Sequence, residues 1–121
     1  MAFEKFNVIC VSLPQEGHDR HMLVDDTVNL LKKCHPIGAM GNYTGVYHIN
    51  NNSEGFIPLK ESCPTMGTKG ISEQCAGYFF ITYSHENVSE FILETFLANL
   101  ISIHPWEHPV IFTYPVSLWV P

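Results

Sequence analysis

A histidine- and proline-rich run near the C-terminus holds the side chains best suited to chemistry. His104, Glu107 and His108 lie close together in it, and imidazole and carboxylate groups are common metal ligands. On a continuous helix His104 and His108 would share one face, but Pro105 and Pro109 exclude such a helix. We therefore predict that the imidazole of His104 caps the preceding helix. His104 and His108 remain the alternative as metal ligands.

A second histidine pair lies near the start of the first predicted helix. His21 and Asp25 are four residues apart, so they would share a helix face and could form a surface metal site together with His18. Acidic residues also favour a helix N-terminus for electrostatic reasons alone. We predict a solvated helix start here.

The glycine-containing stretch Gly38-Ala39-Met40-Gly41-Asn42-Tyr43 suggests a nucleotide loop. It follows a helix rather than opening one, however, so no helix N-terminus is available for a phosphate. We predict that Gly38 and Gly41 adopt positive φ in a turn before the second strand. Asn42 and Tyr43 are candidates to line a shared crevice.

Nothing in the sequence indicates a catalytic nucleophile, and we assign no catalytic residue. The four cysteines form no Cys-x-x-Cys pair and are predicted to be reduced, buried, small apolar side chains; they are Cys10, Cys34, Cys63 and Cys75. Cys63 has only Lys60 nearby to lower the pKa of its thiol.

Two helices and four strands must position these residues. The first half predicts a strand at Phe6–Leu13, a helix from an N-cap at Asp19 to Lys33, a short strand at Gly45–Ile49 and a turn at Asn50–Ser53. The long segment from Glu54 to Gly70 has no periodicity and is predicted to be a loop. The inward side of the helix is predicted to comprise Leu23, Thr27, Leu30, Leu31 and Cys34.

The second half repeats the strand–helix–strand order. It predicts a strand at Cys75–Tyr83, a helix capped by Asn87 and ended by Pro105, and a last strand at Val110–Val116 with Pro115 at a sheet edge or a bulge. The predicted inner face of that helix comprises Val88, Phe91, Ile92, Thr95, Phe96, Asn99, Leu100 and Ile103.

This order predicts one α+β domain spanning residues 1–121. The plan is a ferredoxin-like split βαβ sandwich, with two helices on one face of an antiparallel sheet. The tail from Pro109 to Pro121 contains no charged residue and includes Trp119. We predict that a neighbouring subunit covers this uncharged aromatic tail.

The charge distribution limits the classes of partner. The net charge is −6, and none of the six Lys and Arg residues follows Gly70. Nucleic-acid binding requires a basic stripe, so nucleic acid is not an expected partner. No apolar run is long enough to span a membrane, and the N-terminus resembles no export signal. We expect a cytoplasmic protein.

Three blocks of residues carry a resemblance to a known family. They comprise Gly38, Gly41, Asn42 and Tyr43, then Phe56, Pro58, Leu59, Pro64, Gly67, Gly70 and Glu73, then His104, Pro105, Glu107 and Pro109. In this order and spacing the chain resembles the insert domain of the NGG-one-interacting-factor-three-like family of dinuclear metal-centre proteins. The likeness extends from about Phe6 to Val116.

The resemblance implies a fold like that of the CutA and PII proteins, which associate as trimers through their sheets. We further predict a ligand cleft between subunits, with candidate residues Asn42, Tyr43, Phe56, Pro58, Glu73, His104, Trp106 and Glu107. The chain departs from the family pattern at Ile57, where the family has arginine, and at Glu61, Cys63 and His108. The family's two metal-binding halves have no counterpart in this sequence.

These observations lead to a primary prediction with alternatives. The chain is predicted to be a small oligomeric regulatory or ligand-binding module, a homo-oligomer with a trimer favoured, that recognises a small molecule or a protein and requires no cofactor. The alternatives are a metal-dependent hydrolase or cyclohydrolase, a divalent-metal-binding CutA-like protein, and a subunit that docks on a larger protein through its Trp119 tail.

Overall fold

The computed structural model describes residues 2–14, 23–62, 68–104 and 108–121, with only the backbone for Leu23 and Glu73. The predicted helix start at Asp19 lies outside these residues. The structure has six elements in the predicted order. They are β1 (Ala2–Pro14), α1 (Leu23–Lys33), β2 (Tyr47–Phe56), β3 (Glu73–His85), α2 (Glu90–Ile103) and β4 (Ile111–Val120).

The four strands form one antiparallel sheet in the order β2-β3-β1-β4. Both helices pack on one side of it, which confirms the predicted ferredoxin-like α+β fold. On that side β1 contributes Ile9, Val11 and Leu13 to the apolar core, because alternate residues of a strand face the same side. The other buried core members are Leu31, Ile37, Phe80, Phe96 and Leu100. We call the opposite side of the sheet the open face.

The strands are longer than the sequence predicts. The residues Asn50–Ser53, predicted as a turn, continue β2 and pair with Phe79, Tyr78, Gly77 and Ala76 of β3. The backbone ladder with β3 outweighs the local turn preference of asparagine. β1 and β4 also extend beyond their predicted limits and pair as a two-stranded ribbon, from Ala2 with Val120 to Lys5 with Ser117. β4 is an edge strand that contains Pro115, as predicted.

Helix α2 begins later than predicted, and five of the eight residues predicted to face inward do pack against the core: Val88, Ile92, Phe96, Leu100 and Ile103. Its N-cap is Ser89, whose hydroxyl oxygen accepts a hydrogen bond from the Ile92 amide at 3.3 Å. Phe91, predicted to face inward, is 78% exposed. Leu93 and Leu97, which were not in the predicted stripe, pack against the core as well. The packed side of α2 is therefore the predicted one shifted towards Leu93 and Leu97.

The cap of α2 gives a direct stability prediction. Replacing Ser89 with alanine removes the acceptor for the Ile92 amide, and the free energy of unfolding should fall by about 1 kcal/mol. Asn87→Ala serves as the control, because Asn87 uses only its backbone amide here, donating to Nδ1 of His85. Urea denaturation checks both variants. A larger loss for Asn87→Ala than for Ser89→Ala would restore the original assignment of the cap.

Candidate functional site

The open face of the sheet carries an aromatic cluster that extends from β3 to the edge strand β4. The rings of Phe79 and Phe112 meet edge to face with centroids 6.2 Å apart, and those of Phe112 and Tyr114 stack at 6.0 Å. Phe112 is 42% exposed and Tyr114 45% exposed. Between them, Val8 and Cys10 of β1 are buried beneath the neighbouring aromatic side chains. This face is therefore apolar without being covered by any described element.

A row of polar side chains from β2 borders this cluster. His48, Asn50, Asn52 and Glu54 alternate along β2 on the open face, since their partners in β3 include Ile81 and Phe79. The Asn52 side-chain amide donates to the hydroxyl oxygen of Ser12 at 2.9 Å, reaching across β3 at Gly77, which has no side chain. The open face thus combines an aromatic half with an amide- and carboxylate-bearing half.

His104 fastens the end of α2 to β1, but not through the predicted contact. Its Nε2 lies 2.6 Å from the backbone oxygen of Ser12, an arrangement in which Nε2–H donates to that oxygen. The last helix carbonyls, those of Leu100 and Ile101, accept from the backbone amide of His104. The prediction that the imidazole caps the helix was wrong, because a carbonyl of β1 lies within its reach.

The position of Ser12 at the end of the β1–β4 ladder explains why a side chain donates to its carbonyl oxygen. Ser12 lies one residue beyond the last register pair of β1 with β4, Val11 with Ile111, and its amide donates to the Val110 carbonyl. The Ser12 oxygen points the same way, past the end of the ladder. His104 supplies a donor at this position.

Burial lowers the pKa of His104, because a buried imidazolium loses its hydration. The hydrogen bond to Ser12 and the negative charge of Glu54 oppose this effect without cancelling it. The imidazole is therefore neutral at neutral pH. In that form it suits a positioning hydrogen bond better than anion binding.

The first block of candidate residues lies in the turn between α1 and β2. Gly38 and Gly41 have φ of 80° and 58°, which confirms the predicted positive φ. Met40 and Tyr43 exchange two backbone hydrogen bonds that close the turn. Asn42 is exposed, and Tyr43 is 76% exposed. Both side chains are available to a ligand or to a second chain.

The second block lies at the other end of β2. Phe56 pairs with Glu73 in the last step of the β2–β3 ladder, and beyond it Gly70 donates to the Pro58 carbonyl at 2.6 Å. Nine residue-to-residue steps of strand, roughly 30 Å, lead from Tyr47 to Phe56. One copy of the chain therefore does not bring Asn42 and Tyr43 together with Phe56 and Pro58.

The remaining candidates are only partly described. Trp106 and Glu107 lie outside the described residues, as do His18, His21 and Cys63, and His108 is exposed. Within the described ranges no three His, Cys, Asp or Glu side chains are close enough to hold a metal ion. Cys10 is buried as predicted, whereas Cys34 and Cys75 are only half-buried; all three are free thiols.

Sequence reasoning missed the contact that links Ser12 to Asn52 and His104. Ser12 was included in the first strand without a role, and Asn52 was placed in a turn. The only sequence signal was the alternation of His48, Asn50, Asn52 and Glu54, which fits a strand with one polar side. No described helix is long and apolar enough to cross a membrane.

Comparison with known proteins identifies the fold. No protein-family model matches the chain. No curated protein sequence matches it. Among solved structures, 96% of the chain superposes on part of a Bacillus cereus protein related to NIF3, with a TM-score of 0.68 and 16% identity. The chain spans only 27% of the length of that protein.

Proteins of similar length share the fold. CutA1 from Pyrococcus horikoshii matches 91% of this chain over 82% of its own, with a TM-score of 0.57 and 14% identity. The periplasmic divalent cation tolerance protein CutA from Archaeoglobus fulgidus matches 92% over 83%, with a TM-score of 0.59 and 13% identity. The chain thus has a CutA-like fold that also occurs within a NIF3-related protein, as the three blocks imply.

Proposed function

We propose that this chain is a homo-oligomeric ligand-binding or regulatory module whose open sheet faces pack against one another, with three copies favoured. The observation that carries the proposal is the uncovered aromatic cluster of Phe79, Phe112 and Tyr114 on the open face. Exposed apolar patches of this kind commonly mark interfaces. Trp119, 56% exposed beside Phe3, lies on the other side of β4 by strand alternation and is a separate exposed aromatic site.

Charge supports self-association through this face. The aromatic half of the open face, from Phe79 and Ile81 to Phe112 and Tyr114, contains no Asp, Glu, Lys, Arg or His; its ionisable groups are the phenols of Tyr83 and Tyr114 and the buried thiol of Cys10. Copies can approach there without desolvating a charge, despite the net charge of −6. Burial of aromatic rings supplies the driving force, and the Tyr114 hydroxyl needs a partner in the interface.

The ligand cleft is proposed to form between copies. Its candidate lining residues remain Asn42, Tyr43, Phe56, Pro58, Glu73, His104, Trp106 and Glu107. Because the first two blocks lie at opposite ends of β2, residues from both can share a cleft only when they come from different copies. Ile57 replaces the arginine of the resembling family, so we propose an uncharged ligand rather than an anion.

A divalent-metal-binding role is the second candidate, favoured by the fold shared with proteins named for divalent cation tolerance. The described residues offer no three-ligand cluster. Such a site would therefore require donors from two copies or from outside the described ranges. We place either function in the cytoplasm, where the free thiols of Cys10, Cys34 and Cys75 remain reduced.

A charge placed in the aromatic cluster tests the oligomer. Tyr114→Glu would bury a carboxylate in the proposed interface, and we expect the assembly to dissociate at micromolar concentration. Light scattering coupled to size-exclusion chromatography measures the mass. Phe91→Glu is the matched control, since Phe91 is an exposed aromatic residue on the outer side of α2. Equal masses for the wild type and Tyr114→Glu would show that the open sheet face is not the interface.

A further inference from the structure

The outer edge of β2 presents a row of backbone groups that no other described strand pairs. The amide of Gly38, which lies on the β2 side of β3, donates to the Tyr83 carbonyl. The backbone N–H and C=O of Tyr83 therefore point towards β2, and so do those of every second residue before it in β3. The β2 partners of those residues point inwards. The alternate residues of β2 direct their N–H and C=O groups away from β3, and we call them the outward residues: Tyr47, Ile49, Asn51, Ser53 and Gly55.

The two edges of the sheet differ in protection. The hydrogen bond from Ser12 to Val110 shows that the even-numbered residues of β4 direct their backbone groups towards β1. Pro115 is therefore one of the residues whose backbone faces outwards, and because proline has no N–H it interrupts that edge. β2 contains no proline, lysine or arginine, the residues that usually prevent edge pairing. Its ten residues therefore form an edge open to another strand.

We propose that β2 pairs antiparallel with β2 of a second copy, about a two-fold axis at Asn51. Outward residues must face outward residues in such a ladder, and an axis at Asn51 uses all five of them. This register sets His48 opposite Glu54 of the second copy and Asn50 opposite Asn52, all on the open face. Shifting the axis to Ile49 or Ser53 shortens the ladder and loses the His48–Glu54 opposition.

The pairing would complete the candidate ligand site, so this inference rests on the ligand-binding function proposed above. With Tyr47 opposite Gly55 of the second copy, the Asn42–Tyr43 turn of one chain lies next to the Phe56 end of the other. The two motif blocks, which lie beyond opposite ends of a strand roughly 30 Å long in one chain, thus meet twice in each pair. Each site takes an amide and a phenol from one copy and the Phe56–Pro58 segment from the other.

Proline at the axis tests the edge without disturbing the internal ladder. Asn51→Pro removes an outward N–H only, whereas the control Asn51→Ala keeps it. Native mass spectrometry should show the mass of the wild-type assembly halved in Asn51→Pro and unchanged in Asn51→Ala. An Asn51→Pro protein that keeps the wild-type mass overturns the proposal.

Charge exchange provides a second test that is unaffected if Asn51→Pro misfolds. His48→Glu places glutamate opposite glutamate at two symmetric positions, and the dissociation constant of the pair should rise about tenfold. Glu54→Lys should also weaken the pair. The double variant His48→Glu/Glu54→Lys should restore it. Equal affinities in all three variants overturn the register.

The proposed sheet-face interface and the proposed β2 edge interface can be contradicted independently. If Tyr114→Glu leaves pairs that Asn51→Pro dissolves, the edge contact stands regardless of the sheet face. If Asn51→Pro halves the mass while Tyr114→Glu changes nothing, the edge is supported and the proposed sheet-face assembly is wrong. A wild-type monomer contradicts both.

Discussion

Replacing Gly77 with alanine is expected to lower the free energy of unfolding by about 3 kcal/mol. A Cβ at this position would overlap the backbone oxygen of Leu13, which belongs to β1 and has no freedom to move aside. The methyl group would also project onto the open face, where the Asn52 amide crosses β3 to reach Ser12. The central strands β1 and β3 would have to separate at the end of their ladder.

A second glycine, Gly45, distinguishes the steric effect of an added Cβ from the cost of a left-handed backbone. Gly45 has φ of 66°, and a Cβ there meets nothing within 4 Å. Gly45→Ala should therefore cost only about 1 kcal/mol, the cost of a left-handed backbone at a residue with a side chain. Guanidinium denaturation of both variants measures the difference. A Gly77→Ala protein no less stable than Gly45→Ala would show that the two strands are not held this closely.

Loss of the His104 side chain is the second large effect that we expect. His104→Ala leaves the Ser12 carbonyl without this donor and opens a cavity at the end of α2, and together these should cost about 2–4 kcal/mol. His104→Gln retains a side-chain N–H and should recover part of that loss. Urea denaturation at pH 7.5 compares the three proteins. A loss under 1 kcal/mol in His104→Ala would contradict the buried contact.

The same residue makes stability depend on pH in a defined direction. The pKa of His104 in the folded chain lies below the value of about 6.5 for an unfolded chain. Below pH 6.5 the unfolded chain binds the proton more readily, so stability should fall as pH falls towards the folded pKa and stay constant above about pH 6.5.

His104→Gln isolates this contribution from those of the other histidines. Its stability should decrease less than that of the wild type between pH 7.5 and pH 5.5, measured as urea midpoints. Parallel curves for the two proteins would assign the pH dependence to other groups.

The order of elements was predictable because its signals are local. The β-branched run in β1 and the helical periodicity of α2 need no knowledge of the rest of the chain. The same holds for Gly38 and Gly41, whose positive φ follows from the turn itself. Pro115 was correctly placed at an edge because it lacks an N–H for a central ladder.

The errors occurred where distant residues decide the outcome. Asn52 favours a turn by itself, yet pairing with β3 and a hydrogen bond to Ser12, forty residues away, hold it in a strand. Which side of α2 is buried depends on how the helix meets α1 and the sheet, and this rotates Phe91 out and Leu93 in. His104 likewise bonds a carbonyl that lies 92 residues earlier in the chain.

The candidate site was predictable only in part. The sequence placed Asn42 and Tyr43 in a turn, which the structure confirms, and it placed Phe56 and Pro58 inside a long loop, whereas Phe56 is the last residue of β2. It did not indicate that β2 separates the two blocks, because the strand was predicted to end at Ile49. Their relation depends on contacts between copies, which a single sequence does not encode in any local pattern.

The mass of the untagged wild-type protein in native mass spectrometry tests the central claim, that the uncovered sheet face packs between copies. For a chain of 13.7 kDa, we predict three times that mass, or six times when the β2 edges are also paired. A single-chain mass of 13.7 kDa that persists up to high micromolar concentration would contradict the account.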